Sequence, residues 1–350
     1  MMRAWRVHDV GEPEDVFVLE DVDEPTAAGL AAMGMSMGGW VPLDEAPYKI
    51  TPEFAILDMR AAALALPDVT MARGTYPVPV PHPYISGQEG VGIVREASPG
   101  LVHLVGTRVV GVCIQPWGSL ADVAVAIAPS IAPAPDALDD IDAAAFLIPA
   151  HTAYHAVIRR GQVRADETVL VVGAAGGLGS ACVQLAASRG ARVIAAVGSA
   201  AKARHCADLG AADTIDHATV DLVAGVTDLV GDRGLDVIID PVQGSDAPRI
   251  RGLLKPDGRH VLCGHAGGLE SIDPHFYVAN ITLVGATLGG YPPDVMAEMF
   301  AEANAELGGM LGTGTFRTTA TQVVEFDEVP KVLTEMAARR TIGRPVVRIA

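Results

Sequence analysis

Apolar and polar positions change rhythm along this chain at about residue 128. Before it, short β-type runs (AWRVHD, FVLEDV, FAILDMRA, GVGIVREA, TRVVGVCI) are separated at close intervals by Pro and Gly turns. That pattern predicts an all-β sandwich or barrel. Beyond it, the strand-like runs are mainly apolar and of buried type: VLVVG (169–173), RVIAAVG (192–198), GLDVIIDPV (234–242), GRHVLCGHAGG (258–268) and ITLVGATLGG (281–290). Apolar runs alternating with helical stretches predict parallel strands covered on both faces, an α/β doubly wound sheet. The Ala-, Pro- and Asp-rich stretch 128–149 reads as a connection into a helix capped by Asp139 or Asp140. Downstream, PPDVMAEMFAEANAEL and FDEVPKVLTEMAARR read as helices, and PVVRIA as a last strand returning to the β-rich part. The expected division is a β-rich domain over 1–128 and 290–350 and a nucleotide-binding domain over 129–289.

The first apolar strand breaks into a glycine cluster. Gly173, Gly176 and Gly179 recur at three-residue spacing, with Gly177 and Leu178 between them, and the helix-like SACVQLAASRGA follows. Without Cβ atoms there, a pyrophosphate can reach the backbone N–H groups at the helix start, where the helix dipole favours anions. A glycine turn by itself also suits a plain strand-to-helix connection. The next strand at βαβ distance favours dinucleotide binding. Enzymes that prefer NAD place an acidic residue at the end of that second strand to bind the ribose hydroxyls. Here it ends in Gly198-Ser199, and Ser199 and Lys202 are placed to donate to a 2′-phosphate, which favours NADPH.

A length of 350 residues suits two domains, which implies a cleft between them. The net charge of −17 argues against a nucleic-acid partner and against attraction to anionic lipid. Cys113, Cys182, Cys206 and Cys263 show no paired short spacing, so neither a disulfide framework nor a zinc lobe is indicated, and the chain reads as cytoplasmic. No secretory signal is visible at the start. The uncharged stretches 26–43 and 168–188 are rich in glycine, and no transmembrane helix is expected from them. Residues 26–43 read as a loop, because Gly34, Gly38 and Gly39 oppose a continuous helix, while Met33, Met35, Met37 and Trp40 supply adaptable apolar surface. Two roles stay open for it, a flap packed on its own domain and a lid touching substrate.

The stretches DVTMARGTYPVPVPHPYISGQEGVGIV (68–94), PAHTAYHAV (149–157) and GAAGGLG (173–179) resemble the medium-chain dehydrogenase/reductase superfamily, specifically its quinone-oxidoreductase-like branch. The resemblance spans nearly the whole chain and departs at 26–50, which reads as an insertion. It implies a GroES-like catalytic domain, a Rossmann domain, a nicotinamide cofactor in the cleft and a homodimer. Zinc-dependent members hold their metal with Cys, His and a second Cys or acid. At the corresponding places this chain has AAALALPD (61–68) and Gly87-Gln88-Glu89, and a glutamine amide is a poor zinc ligand. His151 and His155, at i and i+4, lack a motif-linked acidic or Cys partner, so no metal site is expected.

The same resemblance implies cofactor contacts. It places Thr152 at the domain junction and Pro241-Val242, Gly264-His265 and Leu288-Gly289 at strand ends, with His217 and Arg339 near the 2′-phosphate. Gly198, Ser199 and Lys202 match the GSxxK pattern of its NADPH-dependent members. Without zinc, negative charge building on the acceptor oxygen needs a hydrogen-bond donor or a water. Tyr76 is the best such donor, with Arg73 as electrostatic help and Asp68 as an orienting or relay carboxylate; Asp68 and Arg73 otherwise make an ion pair bracing the turn. Relatives commonly carry Asn where this chain has Ala65, and some carry Tyr at Thr70, so the pocket is less polar here. With Trp40, the methionines and Tyr291, a hydrophobic substrate is expected.

The expected activity is zinc-independent, NADPH-dependent hydride transfer to a quinone or an α,β-unsaturated carbonyl. An enoyl-thioester reductase is the alternative within enzymes, for which no basic patch for a carrier phosphate is evident. A non-catalytic NADPH-binding redox sensor is the alternative outside them.

Overall fold

A computed structural model of the chain describes residues 1–350 apart from Met37, Tyr48, Ile50, Glu270, Ser271 and Asp273. It divides into two compact units, Met1–Ile148 with Ala320–Ala350, and Pro149–Thr319. These bounds differ from the expected breaks at 128/129 and 289/290, for reasons visible in the hydrogen bonds. Residues 129–148 stay with the β-rich unit, because Ala132–Pro133 extends its sheet beside Arg108–Val112, Arg108 pairs with Asp140, and Ile148 N–H donates to Glu89. The helix Pro293–Thr313 stays with the second unit, because Tyr154 Oη donates to Glu302 and Glu306 at 3.1 and 3.0 Å and His151 Nε2 meets Asn304 at 3.0 Å.

The first unit is built on the strand Phe54–Ala63. It pairs antiparallel with Glu89–Ala97, Val123–Ile127 and the terminal strand Arg344–Arg348, so the chain's last strand does close on its first unit. Ala320–Val324 runs parallel beside that terminal strand, and a small sheet joins Phe17–Val22, Met2–Val7 and Tyr84–Ile85. Alternating strand faces bury Leu57, Met59, Val94, Val109, Ala124 and Val347 in a common core. Trp5 closes it with a hydrogen bond from its indole to Phe326 O at 2.6 Å. Asp139 caps its helix as expected, accepting from Asp142 N–H at 2.9 Å.

Residues 26–43 are not the featureless loop expected. A turn of helix, Ala27–Leu30, leads into an antiparallel hairpin, Met33–Ser36 with Gly39–Pro42. Glycine makes the bend possible: Gly39 sits at φ +127°, and a Cβ on it would stand 2.3 Å from Gln115 O. Trp40 is 5% exposed and meets Phe54 and Trp117 edge-on, so the hairpin is a flap seated on its own unit. Met37, counted among its apolar side chains, lies outside the described residues.

The second unit holds a sheet whose strands are β1 (Thr168–Val171), β2 (Arg192–Val197), β3 (Asp213–Asp216), β4 (Leu235–Asp240), β5 (Leu254–Leu262) and β6 (Thr282–Gly285). They pair in the order β3-β2-β1-β4-β5-β6, every pair parallel. Parallel strands joined by crossover helices are covered on both faces, which is why Leu170, Ile194 and Ile238 are fully buried. The order reverses between β1 and β4. Such a switch point opens a crevice at the carboxyl ends of the strands, where ligands bind in this class of fold.

Candidate functional site

The glycine turn stands at that switch point. Gly173 follows β1 at φ +58°, where L side chains are strained, and Gly176 is the N-cap of helix α1 (Gly177–Ser188). A Cβ on Gly179 would approach Gly173 O to 2.3 Å and Ala174 Cα to 2.7 Å, so close packing of helix on turn requires glycine there. Gly176 has free space at its Cβ position, with Gly173 O the nearest atom at 3.6 Å. The first helical N–H groups, beginning at Gly177 and Leu178, have no intrahelical acceptors and form the anion-binding end.

Neighbouring strand ends converge on this turn. A Cβ on Gly173 would meet Val242 Cγ2 at 2.8 Å, and one on Gly264 would meet Pro241 O at 2.4 Å. Gly173, Pro241-Val242 and Gly264-His265 therefore form one continuous rim. Burial pushes the His265 imidazole below its usual pKa, so it stands there as a neutral ring at neutral pH. Thr152 is 9% exposed, on the helix Leu147–Tyr154. Leu288 instead lines a cavity of about 10 Å³, room for one water, with His151, Tyr154, His155 and Phe300; Gly289 beside it is exposed.

At the end of β2, Gly198 lies against the His217 ring, with its absent Cβ 3.3 Å from Cε1. Ser199 N-caps the helix α2 (Ala200–Asp208), accepting from Lys202 N–H at 3.3 Å; its own hydroxyl proton stays available to a ligand. No carboxylate occupies 198–202. Arg339, expected near the same phosphate, belongs to the other unit, where it ends a helix at φ +59°.

The two histidines at i and i+4 are engaged in packing. His151 stacks on Phe300 and bonds Asn304, and His155 bonds Tyr291 Oη at 3.3 Å. Burial, with Arg159 and Arg160 nearby, lowers the His155 pKa to about 4. Tyr291 is thereby used inside the second unit, whereas Trp40 belongs to the first, so no single unit assembles the apolar pocket expected of both. Among the described residues no group of three or more His, Cys, Asp or Glu is placed to hold a metal ion.

In the first unit the three catalytic candidates occupy distinct environments. Asp68 is fully buried: Oδ2 accepts from Ala65 N–H at 2.8 Å, and Oδ1 accepts from Ser86 Oγ and Gly87 N–H, both at 2.9 Å. Desolvation raises its pKa against the pull of those donors. It ties the start of the helix Leu66–Ala72 to the Gly87 turn, an orienting role, and is closed to solvent. Arg73 does not pair with Asp68; its guanidinium grips Glu12 at 2.9 and 2.7 Å on the surface. Tyr76 is half-buried against the core, its N–H bonded to Thr70 O at 3.0 Å.

A buried ion pair beside Asp68 had not been expected. Glu89 is fully enclosed, its Oε2 receiving Ile148 N–H at 2.7 Å and its Oε1 facing the Arg344 guanidinium, itself 6% exposed. Burial raises the Glu89 pKa, with Arg344 opposing. A glutamate opening an otherwise apolar run, Glu89–Val94, is the signal that it must find a cation; nothing local says that the cation comes from the last strand.

Sheet order, glycine turn and converging strand ends define a dinucleotide-binding α/β protein. A profile of the family described as zinc-binding dehydrogenase matches residues 177–305. A quinone oxidoreductase of Pseudomonas aeruginosa is 29% identical over 313 residues, covering 87% of this chain and 94% of that one. Human quinone oxidoreductase is 26% identical over 289 residues, covering 82% and 80%. The crystal structures of the quinone oxidoreductase of Thermus thermophilus and its complex with NADPH superpose at a TM-score of 0.76, with 29% identity and coverage of 99% and 100%. Along most of its length the chain resembles proteins of the quinone-oxidoreductase-like branch of the medium-chain dehydrogenase/reductase superfamily. No helix among the described residues is long and apolar enough to cross a membrane.

Proposed function

We propose that this protein is a zinc-independent, NADPH-dependent oxidoreductase that reduces a quinone or an α,β-unsaturated carbonyl. The observation that carries the reading is the end of β2, where Gly198, Ser199 and Lys202 offer donors and no carboxylate beside a switch-point turn open to pyrophosphate. The turn fits a dinucleotide because a Cβ at Gly179 would fill the space its close packing needs. A relative of the same branch at 29% identity was solved with NADPH. When bound, the reduced nicotinamide supplies a hydride.

This chain's residues bind, orient and protonate. Gly173, Gly176, Gly177, Leu178 and Gly179 hold the pyrophosphate, Ser199 and Lys202 hold the 2′-phosphate with His217 and Arg339 assisting, and Thr152, Pro241, Val242, Gly264, His265, Leu288 and Gly289 line the remainder. Tyr76 supplies the proton or the oxyanion hydrogen bond. Asp68 acts through the Gly87 turn that it fixes, and Arg73 through its grip on Glu12, so neither is placed here in contact with substrate. Zinc-independence rests on AAALALPD (61–68) and Gln88 standing where zinc-dependent members have ligands. The four cysteines are free and buried, in keeping with a reducing cytoplasm, and a homodimer is part of the same reading.

The test is fluorescence titration with NADPH and NADH, then consumption of the cofactor against quinones and enones, with metal analysis alongside. Tight NADPH binding with turnover in zinc-free protein is expected. Preference for NADH, stoichiometric zinc, or binding without turnover would each overturn a named part.

A further inference from the structure

We infer that Asp240 and His260 are positioning residues for the cofactor, a buried pair that fixes the Val242–Gln243 backbone at the switch point of the sheet. The inference rests on the reading of this unit as an NADPH site and adds two residues that no motif marks.

Asp240 ends β4 and His260 lies on the adjacent β5, both fully buried. One Asp240 oxygen turns forward along the chain and accepts from Val242 N–H at 2.8 Å and Gln243 N–H at 2.7 Å. The other meets His260 Nε2 at 3.0 Å. Behind it, Arg251 Nε lies 3.3 Å from His260 Nδ1. A guanidinium only donates, so Nδ1 accepts and Nε2 carries the proton given to Asp240. The carboxylate is thereby held at both oxygens, and its orientation is set by groups on two strands.

The turn it holds needs holding. Gln243 sits at φ 56°, ψ −129°, a conformation that L side chains rarely adopt, and such backbone persists only where its surroundings over-determine it. Its side-chain amide is engaged too, donating to Gly264 O. Val242 Cγ2 stands where a Cβ on Gly173 would intrude, so the turn abuts the nucleotide turn itself. An apolar pair would pack two strands as well without the desolvation that buried polar groups suffer. What it would lack is an acceptor aimed at the two N–H groups.

His260→Phe removes the donor to Asp240, and His260→Gln keeps a side-chain N–H near the Nε2 position. Amide hydrogen exchange at Val242 and Gln243 is measured in each, with the dissociation constants of NADPH and the KM of the acceptor. In H260F, exchange at both amides accelerates and the NADPH dissociation constant rises about tenfold while acceptor KM is unchanged; H260Q restores both. If H260F does not fold, the near-isosteric D240N is read the same way. A variant that melts earlier with unchanged exchange and unchanged NADPH affinity overturns the inference. If the unsubstituted protein binds no NADPH, the cofactor role falls with the proposed function, and accelerated exchange in H260F then shows that failure to lie in the functional reading and not in the pair's hold on the turn.

Discussion

The carbonyl oxygen of Gly173 lies 2.3 Å from the point where a Cβ of residue 179 would be, so Gly179 is what allows helix α1 to close onto the nucleotide turn. The contacted atoms are backbone and cannot rotate aside. Gly179→Ala is expected to push helix from turn, at a cost of about 1–3 kcal/mol in stability and with loss of NADPH binding. Gly176→Ala meets nothing closer than 3.6 Å and should leave stability nearly unchanged. Thermal unfolding and cofactor titration of the two variants compare the positions; equal behaviour would contradict the geometry.

Lys202 separates 2′-phosphate recognition from helix capping, because the cap uses its backbone N–H and the phosphate would use its side chain. Lys202→Ala should weaken NADPH binding roughly tenfold, the worth of a charge-assisted hydrogen bond, and leave NADH binding as it was. Ser199→Ala should lower affinity and also remove the cap, at about 1 kcal/mol. Titration of both variants with both cofactors checks the distinction.

How much of this could be read from the sequence depended on how local the physics was. The parallel sheet was legible because β1, β2 and β4 each carry a continuous apolar run, and the strand-to-helix turn because glycine spacing encodes backbone approach directly. The Met33–Pro42 hairpin was hidden by the glycines that oppose a helix, since the same residues permit a tight turn beside Gln115. Arg73 found its carboxylate at Glu12, 61 residues away, when Asp68 was nearer in sequence. Asp68 was instead consumed by backbone and Ser86 donors, and Glu89 by Arg344 from the far end of the chain. Pairings of this kind follow from the closed fold, and a linear pattern carries no trace of them.

His155 gives the second unit a pH dependence with a definite sign. Its pKa falls to about 4 from an ordinary 6.5, with burial as the main cause, so the unfolded chain binds the proton more readily than the folded one. Stability from this group is complete above the unfolded value and is lost as pH falls from 6.5 toward 4. His155→Gln keeps a polar end for Tyr291 and removes the titration. Unfolding midpoints between pH 7 and 4 should decline less steeply in the variant, by on the order of 2 kcal/mol across that range; parallel curves would show that His155 does not titrate with folding.

Tyr76 is the donor on which the proposed chemistry depends, and its substitution separates chemistry from binding. Its ring packs against the core of the first unit while its N–H is tied to Thr70 O, so Tyr76→Phe removes only the hydroxyl and keeps ring and backbone in place. The proposed cofactor contacts are residues of the glycine turn and strand ends, at which no substitution is made. A positioned general acid contributes roughly 10²–10⁴-fold to rate, so Y76F should lower kcat by about that factor while the NADPH dissociation constant and thermal midpoint stay near those of the unsubstituted protein. Because a group acting only in the transition state lowers kcat and kcat/KM together, both should fall in parallel for the acceptor. A rise in KM alone would instead assign Tyr76 to substrate binding, and unchanged kinetics would pass the proton to water.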